Sequence, residues 1–277
     1  MVTRACISIN NRCNLNCKYC HFHEKKNYIQ EEEMDVIAIL DNITAYIEKK
    51  NMEPFKLGFV GNGEPLLDFE KLCKYIRHIG TFLQDGRIAA YTISNGLLVD
   101  RGKLEFFKEY HVNVGFSIDG IQVIHDKYRC RTHKRVMEKI NLYKEIYGKY
   151  PSMNCTVGKD ILEAVDETIA FFEQFGSRIT FSRMIGEYGI SLNEFNDFLY
   201  KAKERLNVRT GGYDCTMYGG LCGAGMDNLF YANGKIFICG NCIDLPFSMS
   251  AYTPLEEVMF DIMEFDRKRC FKEVFTG

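Results

Sequence analysis

The stretch that decides the fold is "NRCNLNCKYCHF", residues 11–22, which places Cys13, Cys17 and Cys20 within eight residues. It directly follows "ACISIN" (5–10), a short apolar run with β-branched residues that predicts a first strand. In a parallel barrel the loop after a strand lies on the C-terminal rim, where active sites collect. The spacing C-x3-C-x2-C therefore indicates a chemical site at the end of the first strand.

Three kinds of site fit this spacing. Three thiolates on one loop can each bind one iron of a [4Fe–4S] cluster and leave the fourth iron free for a substrate or cofactor. Zinc prefers four ligands, and His21 or His23 could supply the fourth. Cys17 and Cys20 alone form the C-x-x-C of a redox pair. The loop favours an iron–sulfur cluster, and zinc remains an alternative.

The composition narrows the cellular setting. The chain has 277 residues, 12 cysteines, a net charge of −2 and a pI near 6.3. This charge gives no basic field for nucleic acid, and no apolar run reaches the ~18–20 residues of a membrane span. The N-terminus has no signal-peptide core. We therefore expect a cytoplasmic protein, in which clustered cysteines bind metal or do chemistry more often than they form disulfides.

Strands and helices alternate along most of the chain. Six strands are predicted, at 5–10, 56–61, 89–95, 112–118, 152–157 and 177–184. Helices are predicted at 31–50, 68–83, 101–111, 132–148, 162–176 and 191–206. Alternation of this kind indicates an α/β fold with a parallel sheet. Six units fit a partial (β/α)6 TIM barrel better than a closed barrel of eight, and a doubly wound sheet is the alternative.

The pattern changes near residue 206, so we expect a barrel at 1–206 and a small cysteine-rich domain at 207–277. The run "LFYANGKIFIC" (229–239) predicts a hairpin around an Asn-Gly turn. The stretch 253–269 predicts a terminal helix that begins with a threonine N-cap and a proline at its first position.

The first cysteine loop, "CNLNCKYC", resembles the signature of the radical S-adenosylmethionine (radical SAM) superfamily. The resemblance implies that Cys13, Cys17 and Cys20 hold a [4Fe–4S] cluster whose free iron binds SAM. It also implies an external electron donor, a flavodoxin or ferredoxin, whose electron cleaves SAM to a 5′-deoxyadenosyl radical that abstracts hydrogen from a substrate. Tyr19 fills the aromatic position that the resemblance places near the adenine.

Polar motifs at later strand ends follow in the order found in the same superfamily. "GNGEP" (61–65) resembles its GGEP motif, although Asn62 stands where glycine is usual. "SIDGIQVIHDKYR" (117–129) resembles the subgroup of peptide maturases and sulfatase-maturating enzymes, and its His125 and Asp126 could serve only to fix the loop. The resemblance implies SAM contacts from a set of residues at these strand ends: Gly63, Glu64, Ser94, Asn95, Ser117, Asp119 and Arg129. Glu64 suits the ammonium of SAM and Arg129 its carboxylate, while Ser94 and Asn95 could instead form an ordinary Asx turn.

A second set of cysteines lies in the C-terminal part. The run from Cys222 through a glycine to Cys239, C-x11-G-x4-C, resembles the opening of the SPASM domain, which holds auxiliary [4Fe–4S] clusters. The rest of that pattern is missing, so the resemblance implies a truncated, twitch-like domain with one auxiliary cluster. The expected ligands are Cys215, Cys222, Cys239 and Cys242, with Cys270 as a competing choice. A structural zinc on the same cysteines is the alternative.

The other cysteines and the substrate-side residues are less defined. Cys270 follows the basic run "DRKR", which is expected to lower its pKa. It is a candidate cluster ligand or a catalytic hydrogen-atom donor of the kind that radical epimerases use, with a spare thiol as the plain alternative. Four cysteines are expected to pack as small hydrophobes: Cys6, Cys73, Cys130 and Cys155. Candidate substrate acids and bases are unranked: Asp119, His21, His23, Tyr188 and Asp214.

The leading interpretation is a radical SAM enzyme that modifies a peptide by epimerisation, thioether formation or carbon–carbon crosslinking. Because only twelve residues precede Cys13, we expect either a separate peptide-recognition protein or direct binding of the peptide in the barrel mouth. The alternative is a dehydrogenase or epimerase with the same chemistry on a sugar or aminocyclitol in natural-product assembly. A non-catalytic zinc or iron–sulfur module is a third interpretation.

Overall fold

The computed structural model describes residues 1–20, 34–51, 54–217 and 220–276. The candidates His21 and His23, and the first residues of the helix expected at 31–50, lie outside the described residues.

A sheet of ten strands runs through the described part of the chain in the order β10-β9-β8-β1-β2-β3-β4-β5-β6-β7. The strands are β1 Arg4–Ser8, β2 Phe55–Val60, β3 Ile88–Ser94, β4 Asn113–Ser117, β5 Ser152–Val157, β6 Arg178–Arg183, β7 Asn207–Thr210, β8 Asn228–Ala232, β9 Lys235–Phe237 and β10 Ser248–Ser250. Neighbours from β1 to β7 are all parallel. Because their order never reverses, every crossover steps in one direction, as in a barrel and unlike a doubly wound sheet. The predicted α/β partial barrel is confirmed.

Helices connect the parallel strands. They are α1 Val36–Lys50, α2 Phe69–His78, α3 Gly80–Gln84, α4 Arg101–Glu109, α5 Gln122–Tyr128, α6 His133–Tyr147, α7 Lys159–Glu163, α8 Val165–Glu173, α9 Leu192–Lys203 and, near the C-terminus, α10 Phe271–Thr276. Helix α5 was not predicted, and two predicted helices are each divided in two, as α2 with α3 and α7 with α8. No helix in the described ranges has the length and apolarity needed to cross a membrane.

The strands present one face to the helices and the other to the concave interior of the barrel. On β1, Ala5 and Ile7 are fully buried in the core that includes Ile39 and Leu40 of α1. Successive side chains of a strand point to opposite faces, so Cys6, which is half-buried, lies on the inner face. The inner face is where polar side chains of the strands can meet a ligand.

The C-terminal part continues the same sheet. The predicted hairpin is present as β8 and β9, and β8 pairs in parallel with β1, with Cys6 opposite Phe230. Strand β7, which was not predicted, extends the opposite edge beyond β6. The sheet therefore includes residues on both sides of position 206, and the division into two domains stays a prediction.

The terminal helix predicted at 253–269 is wrong, because no helix is assigned there. Val258, Phe260 and Ile262 are half-buried, whereas the intervening Met259 and Asp261 are exposed. This period of two belongs to an extended segment with alternating faces, not to a helix.

Candidate functional site

The first cysteine loop leaves the end of β1. Cys13 is exposed and Cys17 and Cys20 are half-buried, and a turn joins the amide of Cys20 to the carbonyl of Cys17 at 3.1 Å. Burial raises the pKa of the Cys17 thiol to about 12. A metal that binds there must therefore displace a proton, as thiolate ligation generally requires.

A glycine lets this loop pack against the "GNGEP" loop. The Glu64 amide donates to the carbonyl of Arg12 at 2.7 Å. A Cβ atom placed on Gly63 would lie 1.9 Å from that same carbonyl oxygen, so a side chain at this position cannot fit. The unusual Asn62 donates to the side chain of Asn11 at 3.2 Å, which ties the two loops together a second time.

Glu64 is the buried acceptor of the site. Its side chain accepts hydrogen bonds from Ser94 Oγ at 2.8 Å and from the amide of Asn95 at 2.8 Å, and a third from the Leu66 amide at 3.2 Å. Burial raises its pKa. A carboxylate has about four lone-pair sites, so little capacity remains beyond these three donors.

The polar ends of β2 and β3 therefore form one unit. Asn95 also accepts from the Leu97 amide at 3.0 Å, the Asx-turn bond expected as the alternative. Its side-chain nitrogen lies 3.9 Å from Cys13 Sγ. Asn95 thus connects Glu64 to the first cysteine loop and forms the turn as well.

Asp119 joins the cysteine loop to the end of β4. Its Oδ2 accepts from Tyr19 at 2.5 Å and from Arg129 Nε at 2.7 Å, and its Oδ1 accepts from the amide of Thr156 at 3.0 Å. The Arg129 guanidinium also lies over the Tyr19 ring, 5.5 Å from its centroid. Asp119 takes the Nε–H of Arg129, and the N–H groups on the two terminal nitrogens of a guanidinium have the geometry to bind a carboxylate. Ser117 is half-buried at the end of β4, opposite Asn154 of β5.

His125 and Asp126 fix the loop around this unit. His125 Nδ1 accepts from the Asp119 amide at 3.2 Å, and its Nε2 lies 2.9 Å from Thr132 Oγ1. Asp126 accepts from the amide of His133 at 2.9 Å. Sequence reasoning missed Thr132 and Thr156, because neither belongs to a strand-end motif.

Among the described acid and base candidates, Asp119 and Asp214 are both ion-paired. Asp119 has its oxygens occupied as above, and Asp214 accepts from Arg183 Nε, with both carboxylate oxygens at 3.3 Å. Tyr188 packs against Tyr128, with ring centroids 5.7 Å apart. In this arrangement neither aspartate is a free base.

The second set of cysteines converges in the C-terminal part. Electrostatic interactions with Cys239, Cys222 and Cys270 add to the effect of burial, which raises the pKa of Cys215 to about 12. The neighbouring Cys242 thiol lowers the pKa of Cys239. Cys222, Cys239 and Cys242 also pack in one apolar cluster with Phe271, so the five thiols share one neighbourhood. No group of three or more metal-ligating side chains in the described ranges is close enough to hold a single ion.

Cys270 belongs to this neighbourhood, but one expectation about it is wrong. Burial raises its pKa, and the amides of Glu273 and Lys272 only partly oppose that effect. In the basic run before it, Arg267 bonds the carbonyl of Cys222 at 2.8 Å and Asp227 at 3.0 Å. Whether Cys270 is a ligand or a hydrogen donor stays a prediction.

The other four cysteines differ in how far they are buried. Cys73 and Cys155 are buried, as expected for packing. Cys130 is exposed and has a positive φ of 57°, so packing is wrong for it. It lies in the turn after α5, a helix that the sequence did not predict. Cys6 is half-buried on the inner face of the barrel.

The two cysteine sets are connected to opposite ends of strand β1. The first loop follows its last residue, Ser8. Cys222 precedes β8, which is parallel to β1, and Cys239 follows β9, which runs back antiparallel. Arg4, the first residue of β1, is close enough to Cys215 and Cys239 for its charge to act on both thiols. Both sets offer soft thiolate ligands, the donors that iron–sulfur clusters use.

Comparison with known proteins bears on this arrangement. Residues 7–199 match the family model of the radical SAM superfamily. A serine-type anaerobic sulfatase-maturating enzyme of Bacteroides thetaiotaomicron is 34% identical over 142 residues, which cover 48% of this chain and 34% of that enzyme. TigE, a radical SAM cyclopropyl synthase of Paramaledivibacter caminithermalis, is 25% identical over 244 residues, covering 81% of this chain and 49% of TigE.

A solved structure shares the fold. Streptococcus suis SuiB bound to precursor peptide SuiA has a TM-score of 0.70 at 16% identity, over 94% of this chain and 65% of SuiB. The chain spans about a third to a half of the length of the two curated relatives. The likeness to SuiB is one of fold.

Proposed function

Because the chain belongs to the radical SAM superfamily, whose members use a [4Fe–4S] cluster and SAM, we propose that it takes a hydrogen atom from a peptide substrate. When bound, the cluster and SAM supply the 5′-deoxyadenosyl radical, and the protein supplies position and exclusion of water. The observation that carries the proposal is the joining of the Cys13 loop to two polar units, around Glu64 and around Asp119.

Each unit has a role in holding SAM. Cys13, Cys17 and Cys20 would hold the cluster. Arg129 offers N–H groups to a carboxylate while Asp119 keeps its guanidinium in place, and a guanidinium suits bidentate binding of a carboxylate. Glu64 would accept from an ammonium with its remaining lone pair. Tyr19, bonded to Asp119, would form a wall of the adenine site.

Three observations support a peptide as the substrate. The motif at 117–129 resembles that of peptide maturases. TigE and the sulfatase-maturating enzymes match this chain in sequence, and SuiB, which shares the fold, was solved with a precursor peptide. The convergence of five thiols supports one auxiliary [4Fe–4S] cluster on four of them. An external flavodoxin or ferredoxin would supply electrons, and a separate protein could present the peptide.

The first experiment is to reconstitute the protein anaerobically and to measure iron, sulfide and zinc. We expect about eight irons per chain in the wild type and about four when Cys13, Cys17 and Cys20 are all replaced by alanine. Cys73→Ala, at a buried cysteine on α2, is the matched control and should keep the wild-type iron. Zinc without iron in the reconstituted wild type would contradict the proposal.

The second experiment tests the substrate class. The holoenzyme is given dithionite, SAM and either a pool of random peptides deuterated at Cα or deuterated sugars and aminocyclitols. Deuterium in 5′-deoxyadenosine from the peptide pool supports the proposal. Transfer from the small molecules alone would replace the peptide with a sugar-like substrate.

A further inference from the structure

A thiol and a phenol form a hydrogen bond with each other on the inner face of the barrel. Cys6 Sγ of β1 lies 3.2 Å from the hydroxyl of Tyr91 on β3. Strand β2 lies between them, and the register places Gly58 directly between the two residues. A Cβ atom on Gly58 would lie 2.7 Å from Cζ of Tyr91 and 3.0 Å from Cys6 Sγ. The Tyr91 ring therefore lies across Gly58 and reaches Cys6 because glycine leaves the space.

The pair lies between the two cysteine sets. Cys6 is two residues before the end of β1, so it lies ~7 Å along the strand from the start of the first cysteine loop. On the other side, the charge of Cys239 acts on Cys6. Tyr91 is three residues before Ser94, which bonds Glu64. Both residues are half-buried, so their side chains are accessible from the interior of the barrel.

The chemistry of the pair suits transfer of a hydrogen atom. A thiol S–H bond is weaker than an unactivated alkyl C–H bond, such as the one that a 5′-deoxyadenosyl radical forms, and similar in strength to a peptide Cα–H bond, so a carbon radical can take its hydrogen. Burial raises the pKa of Cys6, which keeps the hydrogen on sulfur at neutral pH. The roles given above for binding the cluster and SAM use neither Cys6 nor Tyr91.

We propose that Cys6 is a catalytic residue that returns a hydrogen atom to a carbon radical in the barrel, and that Tyr91 positions its thiol. The S–H bond breaks, a C–H bond forms, and Cys6 is left as a thiyl radical. One electron from a low-potential one-electron reductant and one proton from solvent restore the thiol. The inference rests on the proposed function, and it favours epimerisation, because a returned hydrogen leaves the carbon skeleton and its bonds unchanged.

The test uses the reconstituted holoenzyme with SAM and dithionite in D₂O, without a further substrate, so that the carbon radical is the 5′-deoxyadenosyl radical itself. The deuterium content and the total amount of 5′-deoxyadenosine are measured by mass spectrometry. We expect deuterated 5′-deoxyadenosine from the wild type. Cys6→Ser is expected to lower its deuterium fraction at least fivefold, with the total amount within twofold of wild type. Serine keeps the size of the side chain but has a strong O–H bond.

Two further variants sharpen the test. Cys73→Ala should match the wild type, and Tyr91→Phe should lower the deuterium fraction without lowering the amount of product, which a merely structural role would not do. An unchanged deuterium fraction in Cys6→Ser, or undeuterated product from the wild type, would overturn the inference and leave the proposed function intact. If the wild type forms no 5′-deoxyadenosine at all, the proposed function fails and the inference fails with it.

Discussion

Single residues with no spare space hold the first cysteine loop. The space at Gly63 is filled by the backbone of Arg12, and the next residue, Glu64, has most of its acceptor sites occupied by Ser94 and two amides. The loop geometry therefore depends on backbone contacts that only one residue type permits.

We predict that Gly63→Ala displaces the loop. Its Cβ would lie 1.9 Å from a carbonyl oxygen, and forced overpacking typically costs about 1–3 kcal/mol. We expect a lower Tm and the loss of about four irons per chain. Gly102→Ala is the control, because its nearest contact is 3.7 Å away and alanine in a helix is favoured over glycine by ~1 kcal/mol. Wild-type iron and Tm in Gly63→Ala would contradict the prediction.

We also predict that His125 makes folding sensitive to acid. Burial lowers its pKa from 6.5 to about 4, so the folded protein keeps it neutral while the unfolded chain protonates it below ~6.5. The folded state therefore has its full stability above that pH. It loses stability as the pH falls, because only the unfolded chain gains the proton. Between pH 7 and pH 5 the loss is about 2 kcal/mol. Urea denaturation at the two pH values should show this loss in the wild type and a smaller one in His125→Gln.

The control for this prediction is His111→Asn, because His111 is exposed and has a positive φ of 56°, a conformation that asparagine tolerates. Its pH dependence should equal that of the wild type. An equally steep pH dependence in His125→Gln would show that another group is responsible.

At the scale of elements, an ion-pair network fastens the C-terminal segments to the barrel. Arg183, at the end of β6, bonds Asp214 and also Glu273 of α10 at 3.1 Å. Asp214 directly precedes Cys215, and Glu273 lies three residues after Cys270. The end of one barrel strand thus holds two cysteine-bearing segments in place.

We predict that Arg183→Met removes iron from the auxiliary site alone. The change leaves the Asp214 carboxylate, 3% exposed, without its partner, and breaking a buried pair in this way costs about 3–5 kcal/mol. Iron should fall by about four per chain, while binding of SAM persists. Arg183→Lys should restore part of the iron. Arg205→Met, in an exposed pair with Glu173, should change neither, and full iron in Arg183→Met would sink the prediction.

At the scale of the whole molecule, the pairing of β1 with β8 makes the sheet continuous between the barrel and the C-terminal part. Strand β1 is bonded on both sides, to β2 and to β8. Loss of β8 would expose a strand edge, which natural proteins normally cover.

We predict from this that the two parts unfold together. Hydrogen exchange followed by mass spectrometry at increasing urea should show β1 and β8 losing protection at the same concentration, as members of one cooperative unit. Loss of protection in β8 at clearly lower urea than in β1 would indicate a separate C-terminal domain at 207–277.

The sequence predicted what local patterns encode. Strands β1 to β6 lie within two residues of the expected bounds, because each is a short apolar run beside a helical pattern. It did not predict the pairing of Arg4 with Asn228, because no local pattern specifies a partner so far along the chain. Helix α5 was missed because its seven residues are too few to show a helical period. The hydrogen bond between Cys6 and Tyr91 was missed because it depends on how β1 and β3 are aligned on either side of Gly58 in β2.

The length of β1 has a consequence for how the chain can change. In the proposed holoenzyme, the number of residues in this strand helps to set the distance between the two clusters. An insertion of one residue would reverse the faces beyond it, whereas an insertion of two would preserve the faces and add ~7 Å to the gap. Selection for electron exchange would then tolerate neither, and it would hold this strand to a fixed number of residues for reasons unrelated to folding.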